Sequence, residues 1–241
     1  MHRDRPALPP FDAVSLDVGG VLVMPDRRMV SRALARAGVR HDPTLFIDGH
    51  YRAMAEIDRC RPQPEEFGDY ARGFLRAVGA TDAQLEAGAA ALASVLALPS
   101  VWSQRIRGAV PAARRLAAAG LRLAVTSNSD GTVAERMRRR RVMQIGDGPG
   151  VPVEHITDSG VLGVAKPDPA MFLATAAGLD LPPGSICHIG DSGCYDADGA
   201  SGVGMVAVHV DPLGLCGGDH HHVASLADFA GRALAARRTV G

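Results

Sequence analysis

Four short segments carry residues that could do chemistry together, and each lies where a buried strand would end. The first, Leu16-Asp17-Val18-Gly19-Gly20-Val21-Leu22, sets a carboxylate after an apolar run, with two glycines that let the backbone turn tightly beneath it. The second, Leu123-Ala124-Val125-Thr126-Ser127-Asn128, ends on hydroxyl and amide groups before a helix-like stretch, a place that offers a hydroxyl and backbone N–H groups to an anion. The third runs from Gly160 to Pro169 and fixes Lys166 in a loop stiffened by Pro167 and Pro169, so that its ammonium could neutralise both a carboxylate and a phosphate oxygen. The fourth, Ile186-Cys187-His188-Ile189-Gly190-Asp191-Ser192-Gly193-Cys194-Tyr195-Asp196, carries two carboxylates on a loop leaving a strand, ahead of a close-packed turn at Gly199-Ala200. Hard oxygen ligands without His or Cys in register suit Mg²⁺ rather than zinc.

Singly, each segment has a commonplace reading: Asp17 as a turn cap, Ser127 as a helix N-cap, Lys166 as a surface lysine, Asp191 and Asp196 as a solvated acidic loop. Their shared strand-end position makes the set more specific than any one part.

In order, spacing and placement, the four segments resemble the four motifs of the haloacid dehalogenase-like superfamily, spread from Asp17 to Asp196. The phrases Gly163-Val164-Ala165-Lys166-Pro167-Asp168-Pro169 and Gly190-Asp191-Ser192 look like its phosphatase-type members. The resemblance implies Asp17 as nucleophile, Ser127 with Asn128 beside it as the phosphate-binding groups, and Lys166 as the charge-neutralising lysine. It implies a Mg²⁺ ion held by Asp17, the backbone carbonyl of Gly19 and Asp191, with Asp196 bound directly or through water. The substrate it implies is a small phosphorylated molecule, attacked to give an aspartyl-phosphate that water hydrolyses.

The pattern breaks at Gly19, where most phosphatases of the family carry a second Asp that protonates the leaving oxygen. General acid–base help of that kind is worth on the order of 10²–10⁴-fold. Its loss predicts slow turnover or a need for a better leaving group, such as a sugar-1-phosphate or an acyl phosphate. A 2-haloacid dehalogenase is the second reading, since it also uses an aspartate nucleophile and needs no acid at Gly19, although it has no use for a Mg²⁺ site. A catalytically silent protein that binds a phosphorylated metabolite is the third.

The elements that must position these residues follow from the periodicity. Short β-branched runs at Ala13 to Leu16, Leu121 to Val125, Ile186 to Ile189 and Met205 to Val208 alternate with helix-length segments. That alternation predicts an α/β fold, a Rossmann-like doubly wound parallel sheet with right-handed crossovers. Between Asp26 and Ser103 the pattern turns helical, at Arg28 to Ala37, Thr44 to Asp58, Pro64 to Val78 and Asp82 to Leu96. The expected organisation is a discontinuous core of residues 1–25 and 104–241 with a helical cap, 26–103, inserted after the first strand. Turn chemistry at Met24-Pro25-Asp26 and Leu98-Pro99-Ser100 would form two linkers, on which the cap could move as a lid. Within it His50 and Tyr51, with Arg52 and Arg61 nearby, are places to look for substrate contacts.

Composition excludes several classes. With 241 residues, 46% hydrophobic and 22% charged, the chain can bury one large core or two modest ones. Lys+Arg and Asp+Glu both total 26, so no global field favours a nucleic-acid partner or an anionic membrane. Cys60, Cys187, Cys194 and Cys216 lack C-x-x-C spacing and read as free thiols. Met1 to Pro10 has no apolar h-region and Ala89 to Leu98 is too short to span a bilayer, so the expected location is cytoplasmic. Arg138 to Arg141 reads as a solvated helix end, Cys194 as loop packing, and His188 as a hydrogen-bonded core residue. His220-His221-His222, before a helix at Ala224 to Ala236, lacks a partner at ligand spacing and reads as a polar surface turn. The cap's apolar stripes are accounted for by helix packing, and no surplus patch demands a protein partner.

Overall fold

The computed structural model describes residues 7–60 and 67–238. Six strands form one sheet: β1 (Ala13–Leu16), β2 (Arg122–Ser127), β3 (His155–Asp158), β4 (Ile186–Gly190), β5 (Val206–Val210) and β6 (His221–Val223). Their order is β6-β5-β4-β1-β2-β3, and every pairing is parallel. From β1 the chain builds outward through β2 and β3, then returns to lay β4, β5 and β6 on the other side. The order therefore reverses at β1, and the crevice outside the carboxyl ends of β1 and β4 is the place where such sheets hold ligands. All residues of β1 and β4 are buried, which is why they read as mainly apolar runs, interrupted by Ser15 and His188, rather than as alternating ones.

Eight helices of at least two turns are described: α1 (Arg27–Arg36), α2 (Phe46–Cys60), α3 (Phe67–Ala77), α4 (Leu85–Leu96), α5 (Ala109–Ala118), α6 (Val133–Arg139), α7 (Pro169–Gly178) and α8 (Leu226–Arg238). None is long and apolar enough to cross a membrane. The chain divides into two compact units, Val23–Gln104 with Leu213–Gly217, and the remainder. The sequence-based expectation put the inserted segment at 26–103, and nothing in the sequence marked Leu213–Gly217 as going with it.

In the inserted unit, Asp26 caps α1 by accepting from the Met29 N–H at 3.0 Å, and Val30 and Leu34 form that helix's buried face. Helices α2 and α3 meet through Phe46 and Phe74, edge to face at 5.3 Å. Gly49 lets them approach closely, since a methyl there would press on Val78 and Phe74. His50 is 2% exposed and hydrogen-bonded through Nδ1 to Tyr70 Oη at 2.8 Å, with Tyr51 and Trp102 packed edge-on against it. Arg52 is exposed, and Arg61 lies outside the described residues.

The core unit packs α7 on the sheet through Met171, Phe172 and Ala176, which meet Ala13, Ala124, Ile186 and Ala207. One polar seam crosses this apolar layer. Thr175 Oγ1 lies 2.6 Å from Thr126 Oγ1 and 2.7 Å from Thr157 Oγ1, and Thr126 Oγ1 lies 2.7 Å from Ser15 Oγ. These buried hydroxyls join α7 to β1, β2 and β3 directly beneath the strand ends. Thr175→Val, which keeps the shape and removes the hydroxyl, strips a partner from both Thr126 and Thr157. We expect it to cost about 1–3 kcal/mol in urea unfolding, with Thr175→Ser recovering most of the loss. Equal stability of the Val variant and the wild type would show that the seam contributes nothing.

Candidate active site

Asp17 follows β1 directly, and its N–H donates to the Ile189 carbonyl at 2.9 Å, which ties the turn to β4. Lys166 reaches the same point from the loop before α7. Its Nζ lies 2.8 Å from Asp17 Oδ1 and 2.6 Å from Asp196 Oδ1, and the three side chains are all buried. The Lys166 backbone is clamped by Asn128, whose Oδ1 accepts from the Lys166 N–H at 2.7 Å and whose Nδ2 donates to the Lys166 carbonyl at 3.1 Å. The Asn128 side chain, expected from sequence at the phosphate, positions the lysine backbone here.

The segment after Asp191 is not the plain loop that the sequence suggested. Gly193–Asp198 forms a π-helical turn, capped by Ser192, whose Oγ accepts from the Tyr195 N–H at 3.1 Å. Such turns recur at functional sites, and this one carries Asp196 back over β4. A side chain at Gly190 would collide with the Asp196 carboxylate, so the glycine makes that return possible. His188 approaches from β4 itself, with Nε2 2.9 Å from Asp196 Oδ1 and Nδ1 3.0 Å from Ser15 Oγ. Burial holds its pKa below the ordinary imidazole value, so the ring is neutral. Asp196 can only accept, so Nε2 carries the ring proton and Nδ1 accepts from the Ser15 hydroxyl.

Asp191 is the first residue past β4 and is 5% exposed. Gly20 has φ +62°, and a methyl on it would overlap the Asp191 carboxylate. The second glycine of the Asp17 turn is therefore required both by its backbone conformation and by the carboxylate beside it. Asp17, Asp191 and Asp196 each bring an oxygen within 4.8 Å of the others. The Gly19 carbonyl accepts from the Val21 N–H at 2.7 Å, which occupies one of its two lone-pair directions.

Electrostatics of this cluster suit a divalent cation. Burial pushes the Asp17 carboxyl up to about 7, the charge of Lys166 opposes that rise, and those of Asp196 and Asp191 add to it. Burial also works against Lys166, yet Asp17 and Asp196 outweigh it and hold the ammonium above the ordinary lysine value. Asp196 is held below the ordinary carboxylate range, because Lys166 and His188 overcome its burial. One ammonium balances one of three buried carboxylates; a divalent ion with oxygen ligands balances the other two.

Ser127 ends β2 and is buried, in register with Asp158 at the end of β3. Asp158 organises the turn that follows Ser127: Oδ1 accepts from the N–H groups of Gly131 and Gly160, both at 2.9 Å, and Oδ2 from that of Val133 at 3.0 Å. Sequence reasoning passed over Asp158, although it is an acidic residue at a strand end like Asp17 and Asp191. The structure thus brings Asp17, Lys166, Asp191 and Asp196 into one cluster, with Asn128 and Asp158 holding the adjoining loops.

A family model for haloacid dehalogenase-like hydrolases matches residues 11–204. The chain belongs to this family. Among curated proteins, this hydrolase is 37% identical over 110 residues to haloacid dehalogenase-like hydrolase domain-containing protein 3 of Bos taurus, a match covering 44% of this chain and 39% of that protein. Its fold is similar to that of a dehalogenase solved as an intermediate complex, with TM-score 0.58, 18% identity and coverage of 92% of this chain and 96% of that one. It is also similar to a haloacid dehalogenase-type phosphatase from Thermococcus onnurineus, with TM-score 0.54, 16% identity and coverage of 96% and 98%. A 2-haloacid dehalogenase from Pseudomonas syringae pv. Tomato DC3000 gives TM-score 0.53, 19% identity and coverage of 94% and 99%. At these identities the solved structures establish the fold, the Rossmann-like α/β core foreseen from the sequence.

The raised Asp17 pKa makes a prediction for the hydrolase without metal. Between the ordinary carboxylate value of 3.8 and about 7 the folded state holds a proton that the unfolded state has lost. Stability relative to Asp17→Asn should therefore fall as pH rises through that window and level off above it. Chemical denaturation of both proteins in chelator across that range measures the difference, and adding Mg²⁺ should flatten it. Parallel profiles would show that the Asp17 carboxyl is not strained by its surroundings.

Proposed function

We propose that this hydrolase is a Mg²⁺-dependent phosphatase acting on a small phosphorylated metabolite, with Asp17 as the nucleophile. The observation that carries the reading is the convergence of three buried carboxylates on one lysine. A dehalogenase attacks a neutral carbon and has no use for that surplus negative charge; a phosphatase needs it to hold a cation. Asp17, Asp191, Asp196 and the Gly19 carbonyl are the groups that would hold Mg²⁺, which when bound offsets the repulsion between a carboxylate nucleophile and a phosphate dianion.

The protein's own groups then account for the chemistry. Asp17 attacks phosphorus in line, the bond from phosphorus to the leaving oxygen breaks, and that oxygen departs with the electron pair. Lys166, fixed by Asn128 and held between Asp17 and Asp196, favours the ionised nucleophile and stabilises charge on the phosphoryl oxygens. The Ser127 hydroxyl, at the neighbouring strand end, serves the same oxygens. Water attacks the aspartyl-phosphate, releasing phosphate and restoring the carboxylate.

No proton donor stands at Gly19, so the leaving group must be stable as an anion. Acyl phosphates and sugar-1-phosphates meet that demand better than simple alkyl phosphates. Nothing in the charge balance favours a nucleic-acid or membrane partner, and a cytoplasmic location fits the free thiols.

A panel of acyl phosphates, aryl and alkyl phosphates and 2-haloacids tests the reading, with Mg²⁺ and with chelator. Phosphate release should require Mg²⁺ and fall about a thousandfold or more in Asp17→Asn. Acyl and aryl phosphates should exceed alkyl esters by about 10²-fold, and Gly19→Asp should narrow that gap by supplying the missing acid. Halide release that is insensitive to chelator would move the assignment to dehalogenase, and silence across the panel from a folded protein would favour a binding role.

A further inference from the structure

A second cluster of ligating side chains lies on the β5–β6 side of the sheet. His209 and His222 are direct partners in the parallel β5–β6 pairing, and His220 stands two residues before His222, a spacing that returns a side chain to the same face. The sequence-based expectation of a polar surface turn at His220-His221-His222 is corrected here, because His221–Val223 is a strand that brings the triplet beside His209. The His220 and His222 rings stack at 4.6 Å, and the His209 ring lies 5.3 Å and 5.5 Å from them. The three residues each bring a ligand nitrogen within 4.8 Å of the others.

The closest pair has the geometry of two ligands on one ion. His209 Nδ1 and His220 Nε2 are 3.2 Å apart, a hydrogen bond in which Nε2–H donates to Nδ1 and which a shared ion would replace. Two imidazole nitrogens each about 2.0–2.1 Å from a tetrahedral ion stand about 3.3 Å apart. The outer contacts also set the tautomers that ligation requires. His209 Nε2 lies 3.1 Å from the Asp191 carbonyl, which can only accept, so the proton is on Nε2 and Nδ1 carries the lone pair. His222 Nε2 likewise lies 3.1 Å from a backbone carbonyl, that of Gly218, and its Nδ1 lies 3.7 Å from Asp211 Oδ2. Imidazoles that donate their other N–H to a backbone carbonyl are the usual arrangement around a bound metal. His209 is 4% exposed, so its ring is already fixed.

We propose that His209, His220 and His222 form a binding site for a transition-metal ion of the Zn²⁺ class, distinct from the carboxylate cluster. Three neutral nitrogen ligands select such an ion over Mg²⁺, which demands oxygen. His221 alternates to the opposite face of β6 and does not belong to the cluster.

The test is a calorimetric titration of the full chain with Zn²⁺ alone, repeated in Asp17→Asn so that loss of the carboxylate site is read separately. One Zn²⁺ should bind in both proteins. His220→Asn and His222→Asn, at half-exposed positions that leave the buried His209 in place, should each weaken it about tenfold or more. His221→Asn should bind as wild type does. Zn²⁺ affinity unchanged in the His220→Asn/His222→Asn double variant would overturn the proposal, as would an equal loss in His221→Asn, which would mark general chelation by a histidine-rich stretch.

Discussion

The Lys166 ammonium, 3% exposed and held against Asp17 and Asp196, is the interaction on which the rest of the site depends. A buried charge is tolerable only when opposite charges and hydrogen-bond partners accompany it, and removing one member of such a pair costs on the order of 3–5 kcal/mol because the other is left stranded. The surrounding structure reads as a set of devices that keep this lysine where it is. Asn128 clamps its backbone, Asp158 ties down the loop that follows Asn128, and His188 holds Asp196 in place from below. Each device is anchored at the carboxyl end of a different strand, so the parallel sheet is what converts four distant segments into one cluster.

Beneath those strand ends the apolar layer is interrupted by Ser15, Thr126, Thr157 and Thr175, which bond to one another and, through Ser15, to His188. Hydroxyls in a core are costly unless paired. Here they are paired across three strands and one helix, so the hydrogen-bond seam extends from α7 to the residue that fixes Asp196. On the other side of β4, the His209 ring reaches the Asp191 carbonyl. Asp196 is therefore held through its carboxylate by His188 of β4, and Asp191 through its backbone carbonyl by His209 of β5.

Much of this was legible in the sequence, and the exceptions have physical causes. Strands β1, β2, β4 and β5 announced themselves because interior strands of a parallel sheet are buried on both faces and must be apolar. β3, His-Ile-Thr-Asp, and β6, His-His-Val, are the two edges of the sheet, where one side is unpaired and polar residues are allowed, so their composition looked like a turn. Asp17, Lys166, Asp191 and Asp196 stood out because glycines and prolines punctuate the chain around them. Asp158, Ser15 and Thr175 did not, since their role exists only through partners between 18 and 173 residues away or in a loop contact that a linear reading cannot display. The histidine cluster was half visible: the triplet was evident, while His209 looked like an ordinary strand residue until β6 was laid beside β5.

The central claim is that a carboxylate oxygen of Asp17, its ionised form favoured by Lys166, bonds to phosphorus. The most direct measurement is to quench the protein during turnover of an acyl phosphate in Mg²⁺, digest it under acid, and locate the phosphoryl group by mass spectrometry. The account predicts a labile phosphoryl group on the peptide bearing Asp17, absent in the chelated sample. Phosphate release accompanied by label on Asp191 or Asp196, or by label on no carboxylate of the chain, would contradict it.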